Sequence, residues 1–228
     1  MEAFNPRGMT VRAHKQERYW SRFAHSYDRD GEYVVGKAIL QAIETRLSEE
    51  RDLGDVVEFG CGTGYFTRAI AGNARHVVAT DLSDEMLEIA RTQLSEFQNV
   101  TTRKADCASA DFPDQICDSV LMANLIHVIA DPALCLRESY RILRNEGLLI
   151  AVDFTSYRMD LLRTTKLACR YLRRWGVPPR HGRNHMAPEE LSSLVERAGF
   201  RIKDVQLVEG ESNVLYLRGV RCAKPRSI

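Results

Sequence analysis

One short apolar run governs how this chain can fold. Asp55-Val-Val-Glu-Phe-Gly60 reads as a buried strand, and it ends at the first of three glycines at alternate positions, Gly60, Gly62 and Gly64. Glycines at that spacing let the backbone turn sharply out of a strand and let a ligand approach the main chain. A helix is expected over Thr63 to Asn73, with Phe66, Ala69 and Ile70 on its apolar face. Further strands are expected at His76–Thr80, Val100–Lys104, Asp118–Ala123, Leu148–Asp153, Phe200–Val208 and Val214–Val220.

Helices fall between most of these strands. Ser83 reads as an N-cap with Asp84 and Glu85 in the first turn, and Leu87, Ala90, Leu94 and Phe97 continue one face. Asp131-Pro132 reads as an N-cap followed by proline at the first helical position, with Leu136, Tyr140 and Leu143 as the apolar stripe. Asn145-Glu146-Gly147 reads as a turn, and a late helix over Pro188 to Ala198 closes at Gly199. Alternating strands and helices predict an α/β fold, a mostly parallel seven-stranded sheet with helices on both faces. The last two strands are joined only by Glu209–Ser212, so they must run antiparallel to each other. Residues 1–45 precede the sheet and are expected to form a helical segment in two pieces, Val11 to Phe23 and Gly31 to Leu47. Residues 46–228 would then form the main domain.

Composition removes several alternatives. The 228 residues are 44% hydrophobic and 28% charged, which argues against disorder and coiled coil. The net charge of +1 argues against general nucleic-acid binding by the whole chain. No apolar run approaches the roughly 20 residues that span a bilayer, and the first 20 residues lack the apolar core of a signal peptide, so a cytoplasmic location is expected. The six cysteines form no CxxC pair and are expected to be small buried core residues.

Four places carry chemistry. The glycine loop departs from G-x-G-x-x-G because position 65 is Tyr, which argues against a nicotinamide dinucleotide. Asp81, at the end of the second strand, can accept two hydrogen bonds from a ribose diol, or can only cap or turn the chain before Ser83. Asp106, in Ala105-Asp106-Cys107 past the third strand, can take the exocyclic amine of adenine, or be a solvated loop carboxylate. Asn124-Leu125-Ile126-His127 follows the fourth strand, whose carboxyl end lies over the central crevice of such a sheet. His127 can take a proton from an acceptor, or else pack against the sheet with its ring satisfied by a backbone carbonyl. His181 and His185 have helix-like ligand spacing but follow Pro178-Pro179 and bracket Gly182, so no metal site is expected.

Together these residues resemble the class I S-adenosylmethionine-dependent methyltransferases. The motifs that carry the resemblance are Val57-Glu-Phe-Gly-Cys-Gly-Thr-Gly64, Asp81-Leu-Ser-Asp-Glu-Met-Leu87, and Leu125-Ile-His-Val-Ile-Ala-Asp-Pro132 with Arg141-Ile-Leu-Arg-Asn-Glu-Gly147. The chain looks most similar to the small-molecule branch that includes ubiquinone/menaquinone-biosynthesis and phospholipid N-methyltransferases. That branch has an aromatic N-terminal segment like Phe23-Ala-His-Ser-Tyr27-Asp28. The resemblance implies a Rossmann-like fold with the final strand antiparallel in the sheet, and S-adenosyl-L-methionine as cofactor. It places Gly60, Cys61 and Gly62 along the methionine part of the cofactor, with Glu58 fixing that loop and the amino group. Asp81 would hold the ribose, with Leu82 beside the adenine and Asp106 and Cys107 at its edge. Asn124 would touch the amino-acid end through its backbone carbonyl. Tyr27 would close over the reactive end, with Tyr19 as a weaker candidate, so His127 and Tyr27 are the candidate catalytic residues.

The substrate should be read in the segment after the fifth strand. Residues 155–187 form an insertion over the expected site, and from Thr155 to His185 it carries eight Lys or Arg residues against one acid, Asp160. Leu161, Ala168, Leu172 and Trp175 fall at helical spacing, which predicts a basic amphipathic helix broken at Gly176 and Pro178-Pro179. Its arginines could be a solvated face, could meet an anionic acceptor, or could rest on anionic lipid. The expected activity is methyl transfer to a small-molecule acceptor by in-line displacement, in which positioning and water exclusion supply most of the catalysis. A membrane-held acceptor is the alternative, with peripheral membrane contact through residues 158–175. An RNA methyltransferase or a non-catalytic cofactor-binding protein ranks lower.

Overall fold

The computed structural model describes residues 11–177 and 186–222. Among these residues seven strands form one sheet: β1 (Gly54–Phe59), β2 (Ala74–Asp81), β3 (Val100–Lys104), β4 (Cys117–Ala123), β5 (Leu143–Thr155), β6 (Phe200–Val208) and β7 (Asn213–Arg221). Their order is β3-β2-β1-β4-β5-β7-β6. The first five are parallel, and β7 runs antiparallel to both β5 and β6. The chain builds outward from β1 to β3 on one side and then restarts at β4 on the other. The carboxyl ends of β1 and β4 therefore flank a topological switch point, where an open α/β sheet leaves a crevice.

Among the described residues, eight α-helices surround the sheet: α1 (Val11–Ser21), α2 (Tyr27–Val35), α3 (Lys37–Ser48), α4 (Thr67–Ala71), α5 (Asp84–Gln93), α6 (Pro132–Ile142), α7 (Leu161–Trp175) and α8 (Pro188–Arg197). Successive side chains of a strand point to opposite faces, and the core divides accordingly. Val57 and Phe59 of β1 join Val120, Met122, Leu149 and Ala151 in a layer shared with Leu136 of α6 and Leu191 of α8. Val56, Leu121, Ile150 and Val152 face the other way, toward Ile39, Ile43 and Leu47 of α3. The caps read from the sequence are formed. The Met86 amide donates to Ser83 Oγ at 3.1 Å, and the Ala133 amide donates to Asp131 Oδ1 at 3.1 Å.

Several boundaries differ from expectation, each for a local reason. The helix expected from Thr63 begins only at Thr67, because Gly60, Gly62 and Gly64 all hold positive φ and carry the chain through a wide turn first. The expected helix Gly31–Leu47 is cut into α2 and α3 at Gly36, whose φ of 103° is open to glycine alone. The 145–147 turn is instead an irregularity inside β5, with Glu146 at φ 61° and a register shift against β4. Four of the cysteines are buried as expected, but Cys169 is exposed on α7 and Cys222 is half-buried.

Candidate active site

The loop after β1 is drawn toward β2 by its own backbone. The Cys61 amide donates to Thr80 O at 2.8 Å, and the Gly62 amide donates to Asp81 Oδ2 at 3.0 Å. The other oxygen of Asp81 accepts from the Ser83 amide at 2.8 Å. Backbone amides hold both carboxylate oxygens, and lone-pair capacity remains for a further donor. Burial pushes the Asp81 carboxyl above its usual range, and the three backbone amides of Ser83, Gly62 and Leu82 oppose that rise. Packing holds the loop close as well. A Cβ at Gly60 would meet Leu125 Cδ1 at 2.8 Å, whereas one at Gly62 would find only Tyr27, at 3.8 Å. The backbone at Gly62 is thus open toward the cavity.

Glu58 lies one turn of the pleat below this loop, fully buried, and accepts from Thr67 Oγ1 at 2.6 Å. Burial raises its carboxyl from 4.5 to about 7, against the lowering effect of the Thr67 hydrogen bond. Burial and the neighbouring Asp81 and Glu58 carboxylates push the Cys61 thiol well up, so it is an inert wall and not a nucleophile.

Past β4, Asn124 holds φ 57°, a conformation Asn tolerates, and its amide donates to Val152 O at 2.7 Å. Its side-chain Oδ1 is buried with no partner. The sequence pointed to the backbone carbonyl of Asn124; the orphan acceptor is on the side chain. His127 donates from Nδ1 to Asp153 Oδ1 at 2.6 Å. A carboxylate only accepts, so Nδ1 carries the hydrogen and Nε2 is left without one in the neutral ring. Asp153 is 2% exposed, and its Oδ2 has no partner. Asp153 is the site residue that sequence reasoning missed. Its signal was a carboxylate at the carboxyl end of an otherwise apolar central strand.

These groups open onto one cavity of about 420 Å³, within the size range of small-molecule sites. Glu58, Gly60, Cys61, Gly62, Asp81, Leu82, Cys107, Asn124, His127 and Tyr27 all line it. Two expected residues do not. Asp106 turns away and accepts from the Ala108 amide at 2.9 Å, because a carboxylate at a loop corner satisfies the amide two residues on, and Ala105 and Cys107 form that wall. Tyr19 is buried behind the wall, where its hydroxyl donates to Trp175 O at 2.9 Å.

The cavity is roofed by α1, α2 and α7. Trp20, Tyr27, Tyr171 and Trp175 form an aromatic cluster. Tyr27 stacks on Trp175 at 5.8 Å between centroids, with Trp20 edge-on to both. Tyr171 meets Trp175 edge-on at 5.0 Å. Burial, together with Asp81 and Asp28, pushes the Tyr27 phenol up, so it stays neutral. The helix predicted in the insertion is α7, and its inward side, Thr164, Leu167, Ala168, Tyr171, Leu172 and Trp175, lines the cavity; of the predicted stripe only Leu161 lies outside. Its turn is set by anchors on the body. Arg163 Nη2 donates to Gly210 O and to Asn213 Oδ1, Arg170 pairs with Glu211 at 2.8 Å, and Arg174 lies 3.7 Å from Asp30. Three of the basic side chains are therefore fasteners. No Lys or Arg is among the described residues that line the cavity. His181, His185 and Pro178-Pro179 lie outside the described residues.

A doubly wound sheet with a glycine loop and a carboxylate at the switch point defines a nucleoside-binding α/β enzyme. Residues 57–151 match the methyltransferase domain family. A demethylmenaquinone methyltransferase of Tropheryma whipplei is 30% identical over 158 residues, covering 67% of this chain and 64% of that protein. A ubiquinone/menaquinone biosynthesis C-methyltransferase of Shewanella frigidimarina is 29% identical over 114 residues, 47% of this chain and 45% of that protein. The matches thus span less than two thirds of these relatives' length. The crystal structure of an S-adenosylmethionine-dependent methyltransferase of Thermotoga maritima, described as a possible histamine N-methyltransferase, superposes with a TM-score of 0.69 at 25% identity. It covers 90% of this chain and 99% of that one. Through this domain the chain belongs to the class I S-adenosylmethionine-dependent methyltransferases.

Proposed function

We propose that this protein transfers a methyl group from S-adenosylmethionine to an apolar, aromatic small molecule that gives up a proton in the reaction. The observation that carries this reading is the meeting, in one cavity, of the Gly62–Asp81 pair and of His127, which Asp153 holds from behind the wall. The residues present fit the cofactor. Asn124 Oδ1 is a buried acceptor with nothing to accept, Asp81 has acceptor capacity to spare, and the surface above Gly62 is bare backbone. Asp81 would hold the ribose hydroxyls, Asn124 and Glu58 the amino-acid end, and Leu82, Ala105 and Cys107 the base. When bound, the cofactor supplies a methyl group already activated on a sulfonium.

This chain's own residues then orient, exclude water and move a proton. The aromatic roof of α1, α2 and α7 covers the cavity, and the face of Tyr27 or Trp175 suits both a cation and a flat ring. His127 takes the acceptor's proton at Nε2, and Asp153 holds the ring in the tautomer that leaves Nε2 basic. Asp153 acts through His127 and is a positioning residue. The described lining joins aromatic and aliphatic side chains to the carboxylates of Glu17, Asp28, Glu58 and Asp81, which suits an uncharged acceptor. The Tropheryma and Shewanella relatives are named for menaquinone and ubiquinone biosynthesis, and a quinone precursor has this chemistry.

The test is calorimetry with S-adenosylmethionine and its demethylated product, followed by a labelled-methyl screen across phenols, quinols, thiols, amines and lipid extracts. Heat with both nucleosides and label on an aromatic acceptor supports the reading. No heat with either overturns it, and label only on charged amines or carboxylates overturns the acceptor class.

A further inference from the structure

We propose that the outer face of α7 docks on an anionic lipid surface, with the helix axis lying along the membrane plane. The inner face of α7 roofs the cavity, so its outer face should be polar if water were its only neighbour. It is not. Leu161 is 82% exposed, Leu162 79%, and Val177 just past the helix 79%. On a helix of 3.6 residues per turn, Leu161, Leu162, Thr165 and Cys169 share one side, and Leu172 stands where that side meets the cavity. Elsewhere the exposed large apolar residues are scattered: Tyr33, Ile116 and Leu134, each barely above one third exposed among the described residues. Two adjacent leucines standing almost fully in water on one side of a helix point to an interaction site more than single, half-covered residues do.

Charge selects the partner. Arg163, Arg170 and Arg174 are turned to the body, as described above. Lys166 and Arg173 are exposed along the border of the apolar strip, and neither has a carboxylate within ion-pair distance among the described residues. Apolar residues flanked by cations are the pattern of a helix that sinks its leucines to the headgroup boundary while its basic side chains reach lipid phosphates. A second copy of this chain fits worse, because a two-fold contact through this strip would set Lys166 and Arg173 against their own copies. Nucleic acid would satisfy the cations and leave the leucines in water. No helix of the described residues is long and apolar enough to cross a membrane, so the contact is peripheral. It stands on the outer face of α7 and does not depend on which acceptor occupies the cavity.

The experiment is co-sedimentation of the full chain with mixed phosphatidylglycerol–phosphatidylcholine vesicles and with pure phosphatidylcholine vesicles, at low and high salt. Binding to the anionic vesicles that weakens with salt is expected, with little binding to the neutral ones. Lys166→Gln with Arg173→Gln should lower partitioning about fivefold for each cation removed, and Leu161→Ser with Leu162→Ser should lower it further. Because all four residues are on the outer surface, cofactor heat and near-ultraviolet dichroism of these variants should match wild type. Cys169 sits within the strip and supplies a second readout. An environment-sensitive dye on Cys169, in a Cys222→Ser background, should shift to the blue on adding anionic vesicles. Equal partitioning of wild type and variants, or a dye indifferent to vesicles, overturns the proposal. A dye shift that follows protein concentration without vesicles assigns the strip to a second copy, and one that appears only with RNA assigns it to nucleic acid; either overturns it too.

Discussion

The Gly62 amide donates to Asp81 Oδ2 at 3.0 Å, which joins the glycine loop after β1 to the end of β2 before any ligand arrives. With the Ser83 amide on the other oxygen, the carboxylate is already oriented, and little of the binding energy is spent on ordering it. The cavity is preorganised at the end where the cofactor is proposed to bind.

Replacing Asp81 with Ala removes that orientation and a charge-assisted acceptor together. Cofactor binding should weaken by roughly 2–3 kcal/mol. The Gly62 and Ser83 amides also lose their partner, so the melting temperature should fall. Calorimetry and thermal unfolding read the two effects separately, and unchanged cofactor affinity would remove Asp81 from the site.

His127→Ala should lower kcat about 10²- to 10⁴-fold with cofactor affinity unchanged. Asp153→Asn keeps the shape but permits the wrong ring tautomer, so it should lower kcat with little effect on KM. Wild-type turnover in His127→Ala would make His127 a packing residue.

Glu58 gives a pH dependence with a definite sign. Its folded value near 7 stands above the ordinary 4.5, so the folded state holds a proton the unfolded chain has lost. Stability of the ligand-free protein should therefore fall by roughly 3 kcal/mol as pH rises from about 4.5 through about 7, then level off. Cofactor affinity should move the other way, since the ionised carboxylate suits the cofactor's ammonium group. Glu58→Gln should flatten both curves, which chemical denaturation and calorimetry across pH can follow.

The chain has two tryptophans, Trp20 and Trp175, and both line the cavity with ring centroids 5.6 Å apart. Intrinsic fluorescence should therefore report the site alone. Cofactor titration should change the emission, and Trp175→Phe should remove a large part of that change while preserving the stack on Tyr27. Emission that ignores cofactor while calorimetry shows binding would mean the aromatic roof stays clear of it.

What could be read from the sequence rests on interactions of short range. Positive φ at Gly60 and Gly64, the Ser83 and Asp131 caps and the apolar runs of β1, β4 and β5 depend on residues a few positions apart, so their pattern announces them. The mostly parallel sheet with helices on both faces follows from alternation, while the order β3-β2-β1-β4-β5-β7-β6 is set by tertiary packing. The partner of His127 is 26 positions away, and Trp20 meets Trp175 across most of the chain, so only the packed sheet and its roof bring them together. Residue spacing described α7 as amphipathic, but a helix carrying both leucines and arginines on more than one side has no inward face of its own. Asp30, Glu211 and Asn213 chose it by capturing Arg174, Arg170 and Arg163. Asp106 was legible as a carboxylate at the right place in the chain, and only the local turn, with the Ala108 amide as the nearer donor, decided that it faces away from the cavity.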